Sequence, residues 1–194
     1  MAQSANERRL RTGASIMLCA QELTDARGLD GFTMDDLSAA CGVSRRTLFN
    51  YFPSKVDAIL GIWPTLDDDD VDEFRSGGPD GDLLADLRTL IAPLLDDPTL
   101  ERTMIARHRR ILLANERLMT AVHLRYQALS ADIVEHIVER EGAAFGARRA
   151  RIAVNVLAAV FDSSIDEFLE DSRERRLLHH FDEALATARS LFGT

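Results

Sequence analysis

Arg45, Arg46, Thr47 and Asn50 crowd around one apolar residue, Leu48. Arginine can fork onto the two major-groove acceptors of guanine, and asparagine onto the edge of adenine. For that chemistry, these side chains must project from one face of a short helix whose other face is held in place. The flanking residues, FTMDDLSAACGVSRRTLFNYFPSK at 32–55, supply such a support.

Three helix starts are written into those 24 residues. Thr33 can cap a helix that has Asp36 in its first turn, with Phe32 and Leu37 as the hydrophobic staple. Ser44 caps the next, with Val43 and Leu48 as its staple. Ser54 caps a third, where Asp57 suits the helix dipole. Gly42 stands at the joint, where a left-handed residue ends a helix without steric cost. Leu37, Ala40, Val43 and Leu48 give an apolar seam between the helices. An arginine-rich solvated helix in a bundle is the plainer reading of Arg45 and Arg46. The three caps, the joint glycine and the polar outer face together favour a helix-turn-helix that reads DNA.

The stretch resembles the DNA-binding domain of the TetR family of transcriptional regulators. The resemblance rests on Gly42, Val43, Ser44, Arg45, Arg46, Thr47, Leu48, Phe49, Asn50, Tyr51 and Phe52, followed by Pro53, Ser54 and Lys55. It covers roughly residues 11–60. One departure is Phe49, where the family commonly has a tyrosine whose hydroxyl touches a phosphate. The DNA-facing set is Thr33, Ser44, Arg45, Arg46, Thr47, Phe49, Asn50, Tyr51 and Lys55. Within it Arg45, Arg46, Thr47 and Asn50 are expected in the major groove. Tyr51, Thr47 and Lys55, with Arg8, Arg9 and Arg11, are expected on phosphates. The resemblance implies a homodimer on a palindromic double-stranded operator, and a four-helix interface made by the last two helices of each copy.

The net charge of −9 is unusual for a DNA binder until it is divided. Residues 1–55 hold seven Lys/Arg against six Asp/Glu, and the other 139 hold 16 against 26. Phosphate attraction depends on the local patch more than on the total. Of the 23 basic residues, 22 are arginine, which we read as genomic base composition. The chain has 46% apolar residues, with no run long enough to span a bilayer. The N-terminus lacks the apolar core of a signal peptide, so a cytoplasmic protein is expected. Cys19 and Cys41 form no metal or disulfide pattern and read as small buried residues.

The periodicity is helical throughout, and the fold expected is all-α with about nine helices. Residues 1–55 form the DNA-binding domain and 56–194 a ligand-binding and dimerisation bundle. The first helix is expected over about 7–27, with short helices at 34–41 and 45–51. A fourth should run from Ser54 through Trp63 toward Pro64. The acidic run at 67–70, with Asp72 and Glu73, reads as a solvated loop or helix end rather than a metal site. Gly77, Gly78 and Pro79 read as a breaker. A helix follows over 83–94, and Pro98 suits the first position of the next. Asn115 can cap a long helix ending before Gly142. The last two are expected at 147–170 and 173–192, the latter capped by Ser172. Their apolar faces are wide enough to need two partners, which places Phe161, Ile165, Phe168, Leu177, Phe181 and Leu185 in the dimer interface.

A sensing bundle needs an apolar cavity with a few polar groups. The apolar candidates are Trp63, Leu87, Met104, Leu112, Met119, Tyr126 and Phe161. The polar ones are His108, His123, Asn155 and Asp162. No G-x-S-x-G, phosphate-cradling glycine loop, H-E-x-x-H or C-x-x-C occurs, so no enzyme is expected. His179 and His180 are adjacent and would point about 100° apart on a helix, so no metal and no cofactor is expected. The reading is a ligand-responsive DNA-binding regulator, a repressor released by a small, largely apolar effector. The alternative is a helical interaction protein whose helix-turn-helix does not read DNA.

Overall fold

The computed structural model describes residues 2–63, 65–96 and 101–192, and among them are ten helices and no strand. They are α1 (Ala2–Arg27), α2 (Met34–Cys41), α3 (Arg45–Tyr51), α4 (Lys55–Leu60), α5 (Asp68–Arg75), α6 (Leu83–Leu95), α7 (Arg102–Leu113), α8 (Glu116–Glu141), α9 (Gly146–Glu170) and α10 (Leu177–Phe192). The chain divides into two compact units. The first is Met1–Pro64 with Ala106–Leu124, and the second is Thr65–Ile105 with Arg125–Thr194. The division expected after residue 55 therefore falls later, and the first unit also takes a stretch from the middle of the chain. The breaks fall inside α7 and α8.

In the first unit, α1 packs on α2 and α4. Ile16, Ala20, Leu29, Phe32, Leu37, Leu48, Phe52, Ala58 and Ile59 make a core that Ile111 and Leu118 complete. Three arginines fasten that later stretch to the early helices. Arg110 holds both oxygens of Asp25 at 2.8 and 2.7 Å, Arg117 reaches Asp30 at 2.9 Å, and Arg107 reaches Glu22 at 3.3 Å. Gln21 is fully buried beneath them. Its amide nitrogen donates to the Ile59 carbonyl at 3.2 Å and to His108 Nδ1 at 3.0 Å. Accepting at Nδ1 places the proton of the neutral ring on Nε2. Burial keeps the His108 pKa below its ordinary value, so the ring holds α1 to α7 as a neutral group.

α4 stops at Leu60, short of Trp63, because Gly61 adopts φ 76°. There a side chain would be strained, and a Cβ would meet the Met17 sulfur at 2.4 Å. The expected approach to Pro64 lies outside the described residues, as does Pro98.

The second unit builds its core from Val71, Phe74, Leu87, Leu90, Ile133, Ile137, Val154, Leu157, Val160, Phe168, Leu177 and Phe181. The acidic run that reads as a loop is a helix start. Asp67 caps α5 by accepting from Asp69 N at 3.0 Å, and the following acids lie in the first turn, where the dipole favours them. Val71 and Phe74, three apart, supply its buried side. Nor are Gly77, Gly78 and Pro79 a loose linker. Arg140 of α8 donates to the carbonyls of Phe74 (2.8 Å), Gly78 (3.1 Å) and Gly77 (3.2 Å) and also pairs with Asp86. Asp86 accepts from Asp80 N at 2.7 Å and Gly81 N at 3.1 Å. Burial alone would raise the Asp86 pKa. The two backbone donors and Arg140 outweigh it and hold the carboxyl below its usual value. α10 begins at Leu177, not 173, and Ser172 is not its cap. Asp171 turns residues 171–176 aside by binding Arg173 N at 2.9 Å and the guanidiniums of Arg173 and Arg175.

Candidate nucleic-acid interface

The reading head forms through the local interactions that its residue types dictate. Thr33 accepts from Asp36 N at 3.2 Å and Asp36 accepts from Thr33 N at 2.8 Å, a complete capping box. The Thr33 hydroxyl, which donates to the Asp36 carboxylate at 2.7 Å, and then the Thr33 N–H lower the Asp36 pKa. α2 ends at Gly42, whose φ of 66° is the left-handed conformation the joint needs. Ser38 and Val43 then close the turn, with Val43 N to Ser38 O at 3.2 Å and Ser38 Oγ to Val43 O at 2.8 Å. Ser44 caps α3 by accepting from Thr47 N at 3.0 Å. Leu37 and Leu48 have no exposed surface, so they fix α3 by its inner side. Ala40, expected in the seam between them, is exposed.

The outer side of α3 carries Arg45, Arg46, Phe49 and Asn50, all exposed, while Thr47 and Tyr51 are half-buried at its edges. Arg45 is placed by its neighbours: its guanidinium lies 5.6 Å from the Phe49 ring centroid and 3.3 Å from Asp35 of α2. Two residues of the DNA-facing set have demonstrable structural work. Thr33 is the α2 cap and Ser44 the α3 cap. Lys55 differs from a free phosphate-seeking lysine. Its Nζ donates to the Phe32 carbonyl at 3.0 Å, stands 3.9 Å from Asp30 and lies 5.2 Å from the Phe32 ring. It thus ties the start of α4 to the α1–α2 turn.

Residues 16–59 match the family described as bacterial regulatory proteins, tetR family. The match makes residues 16–59 a TetR-family DNA-binding domain. A DNA-binding regulatory role is what that match supports. Beyond the TetR-family domain, the chain is similar along most of its length to two nucleoid occlusion factors named SlmA. One, from Shewanella amazonensis, is 26% identical over 182 residues, covering 87% of this chain and 88% of the relative. The other, from Shewanella frigidimarina, is 24% identical over 176 residues with the same coverage. Among solved structures, a putative TetR-family transcriptional regulator from Mesorhizobium loti is 17% identical, with a TM-score of 0.45, over 96% of this chain and 99% of that one.

The remaining candidates divide between the units. Trp63, His108, Leu112, Met119 and His123 belong to the first, and Leu87, Met104, Tyr126, Asn155, Phe161 and Asp162 to the second. His108 is engaged by Gln21, and Leu112 packs on the first core. Leu87 has no exposed surface. Met119, His123, Asn155, Phe161 and Asp162 are exposed. An open groove of about 350 Å³ in the second unit is lined by Asp96, Arg175, Arg176, Leu178, His179 and Asp182. It contains none of the expected ligand contacts, and all of its lining residues but Leu178 are ionisable.

Of the six residues expected at the dimer interface, Phe168, Leu177, Phe181 and Leu185 are 4%, 4%, 0% and 6% exposed, inside the chain's own core. Side chains this buried leave almost no surface for a second copy, so the wide apolar faces of α9 and α10 serve mainly each other. Phe161 at 40% and the half-buried Ile165 remain accessible. Ile152 and Val156 lie on the wide apolar face of α9 but outside the six residues expected at the interface. They are 55% and 42% exposed and lie one turn apart on α9.

Proposed function

We propose that this protein is a homodimeric repressor that reads a palindromic double-stranded operator through α3 and is released by a small, largely apolar effector. One observation carries the DNA part: Arg45, Arg46 and Asn50 project from α3 while Leu48, on its inner side, is fully buried. A rigid helix presenting two guanidiniums and a carboxamide matches the acceptor and donor pattern of the major groove. Two such helices in a dimer would address half-sites about 34 Å apart. Ile152 and Val156, one turn apart, give α9 an exposed apolar patch for the second copy, and Phe161 is exposed further along the helix. Cytoplasmic residence follows from DNA as the partner, and no described helix is long and apolar enough to cross a membrane.

The direct test is titration of labelled DNA from upstream of the protein's own gene, at several salt concentrations, against scrambled DNA of equal length. Specific binding that exceeds scrambled binding by about 10³-fold or more supports the reading. Equal affinity for both would instead support a helical interaction protein with a silent helix-turn-helix.

The similarity to nucleoid occlusion factors runs over both units rather than the DNA-binding domain alone. That favours a second reading, a DNA-bound factor whose output is nucleoid occlusion rather than transcription. Mapping of bound chromosomal fragments separates the two: sites beside promoters support the repressor, and sites without promoter association support the occlusion factor.

A further inference from the structure

In the second unit the fold leaves a buried histidine nitrogen without a hydrogen bond. His180 of α10 is 2% exposed and its Nε2 has no partner. Asp171 Oδ2 stands 3.5 Å away and is already held by Arg175 at 2.8 Å. A dry, unpaired nitrogen is costly, so an imidazole kept there needs a reason. Two carboxylates provide one. Glu183 lies three residues on, on the same face of α10. Glu167 reaches in from α9, the helix most closely paired with α10. One donor atom from each of Glu167, His180 and Glu183 lies within 4.8 Å of the other two.

We propose that Glu167, His180 and Glu183 form a divalent transition-metal site, best suited to Zn2+, that ties α9 to α10. The donor set decides the class of ion. Carboxylates alone suit Mg2+ or Ca2+, whereas an imidazole among them shifts preference to Zn2+ and its neighbours. Zinc bonds of about 2.0–2.2 Å place tetrahedral donors roughly 3.4 Å apart. The two glutamates, both exposed, need to close by roughly 1 Å, which side-chain rotation supplies. Three protein donors leave a fourth position for water.

Arg175 holds the site in the metal-free chain. Its guanidinium lies 3.3 Å from both Glu183 oxygens and also binds Asp171. The ion must take Glu183 from that guanidinium, so Arg175 and metal compete for one carboxylate. The adjacent His179 is 45% exposed, stands 3.3 Å from Glu183, and is the alternative imidazole. Sequence reasoning set the histidine pair aside because neighbours on a helix point apart. The site needs only the buried one, with its second donor one turn away.

The test is calorimetric titration of the chelator-treated full chain with Zn2+, with Co2+ absorbance as an optical readout of the coordination. We expect one Zn2+ per chain, unaffected by excess Mg2+. Glu167→Gln and Glu183→Gln change exposed side chains and should fold normally, yet weaken binding about tenfold or more. Arg175→Gln should tighten it, and His179→Asn should leave it within about threefold, a change well below that of losing a ligand. His180→Asn also disturbs a buried core position, so the glutamate variants carry the test. Wild-type protein without saturable Zn2+ binding would overturn the proposal. So would glutamate variants that bind like wild type, or binding lost in His179→Asn.

Discussion

The guanidinium of Arg45 rests over the ring of Phe49, one turn along α3, at 5.6 Å from the centroid. This gives Phe49 a use that its missing hydroxyl does not suggest. A ring with no polar atom cannot bind phosphate, but its face attracts a cation by about 0.5–1 kcal/mol at exposed sites. With Asp35 on the other side, Arg45 is oriented before DNA arrives.

Arg45→Ala or Arg46→Ala is therefore expected to cost about 1–3 kcal/mol of operator binding if that arginine pairs with guanine, and to relax specificity at one base pair. Phe49→Ala should weaken binding less, by about two- to fivefold, the worth of the lost cation–ring contact. Fluorescence anisotropy on operator and single-base variants reads all three. Arginine variants that bind operator and scrambled DNA like wild type would remove α3 from the recognition role.

Lys55 has two candidate roles that separate cleanly. As a tether to the Phe32 carbonyl, its loss in Lys55→Ala should lower the melting temperature and weaken every DNA sequence alike, with the salt slope unchanged. As a phosphate contact, its loss should leave melting unchanged and reduce the slope of log K against log salt by about one unit. The geometry favours the tether.

Arg140→Met leaves Asp86 buried with no cationic partner. The side chains are 4% and 0% exposed, so the expected loss is about 3–5 kcal/mol of stability in the second unit. Adding Asp86→Leu should recover part of it, because the orphaned charge is gone. Urea unfolding followed by circular dichroism measures both. A double variant no more stable than Arg140→Met alone would mean that the loop carbonyls, not the ion pair, are what Arg140 chiefly serves.

The acid side of the stability profile should carry the signature of His108. Its folded pKa lies below the ordinary value because the ring is buried, so the unfolded chain binds the proton more readily. Stability from this group is complete above the unfolded pKa of about 6.5 and declines as pH falls below it. Comparing wild type with His108→Gln between about pH 7.5 and about pH 5.5, across that pKa, isolates the term: the variant's profile should be flatter. Parallel profiles would mean that His108 does not titrate differently in the two states.

Phe161→Glu and Phe181→Glu should fail in different ways. Phe161 is 40% exposed and Phe181 fully buried. The first should yield a folded chain that sediments as a monomer, and the second a destabilised chain, because it buries an unpaired carboxylate. A Phe161→Glu protein that stays dimeric would move the interface off this part of α9.

The reading head was legible because its signals are local. Caps, staples and the joint glycine lie within five residues of what they control, and α2 and α3 fall at the expected positions. Signals that act across the chain were not legible. Nothing near Gly77 announces that Arg140, some sixty residues on, will hold its carbonyl. The wide apolar face of α10 reads in sequence as shared with a second copy, because periodicity reports that a face is buried and not against what. Cys19 and Cys41 looked unrelated in sequence. The fold brings them together: burial first, and then a hydrogen bond with Cys19, push the Cys41 thiol up to about 12. Such a pKa marks an unreactive thiol at ordinary pH.

Ile111 and Leu118 sit 4% and 0% exposed in the core of the DNA-reading unit, and this bears on how the protein is made. The helix-turn-helix is synthesised early but lacks its closing side chains until well over half of the chain has been translated. N-terminal domains commonly fold first during synthesis; this one has to wait. The nascent chain cannot hold a finished reading head while its middle third is still being added, so DNA-binding competence arrives late in translation. A gene fragment cut after the third or fourth helix would encode the recognition residues without the core that holds them.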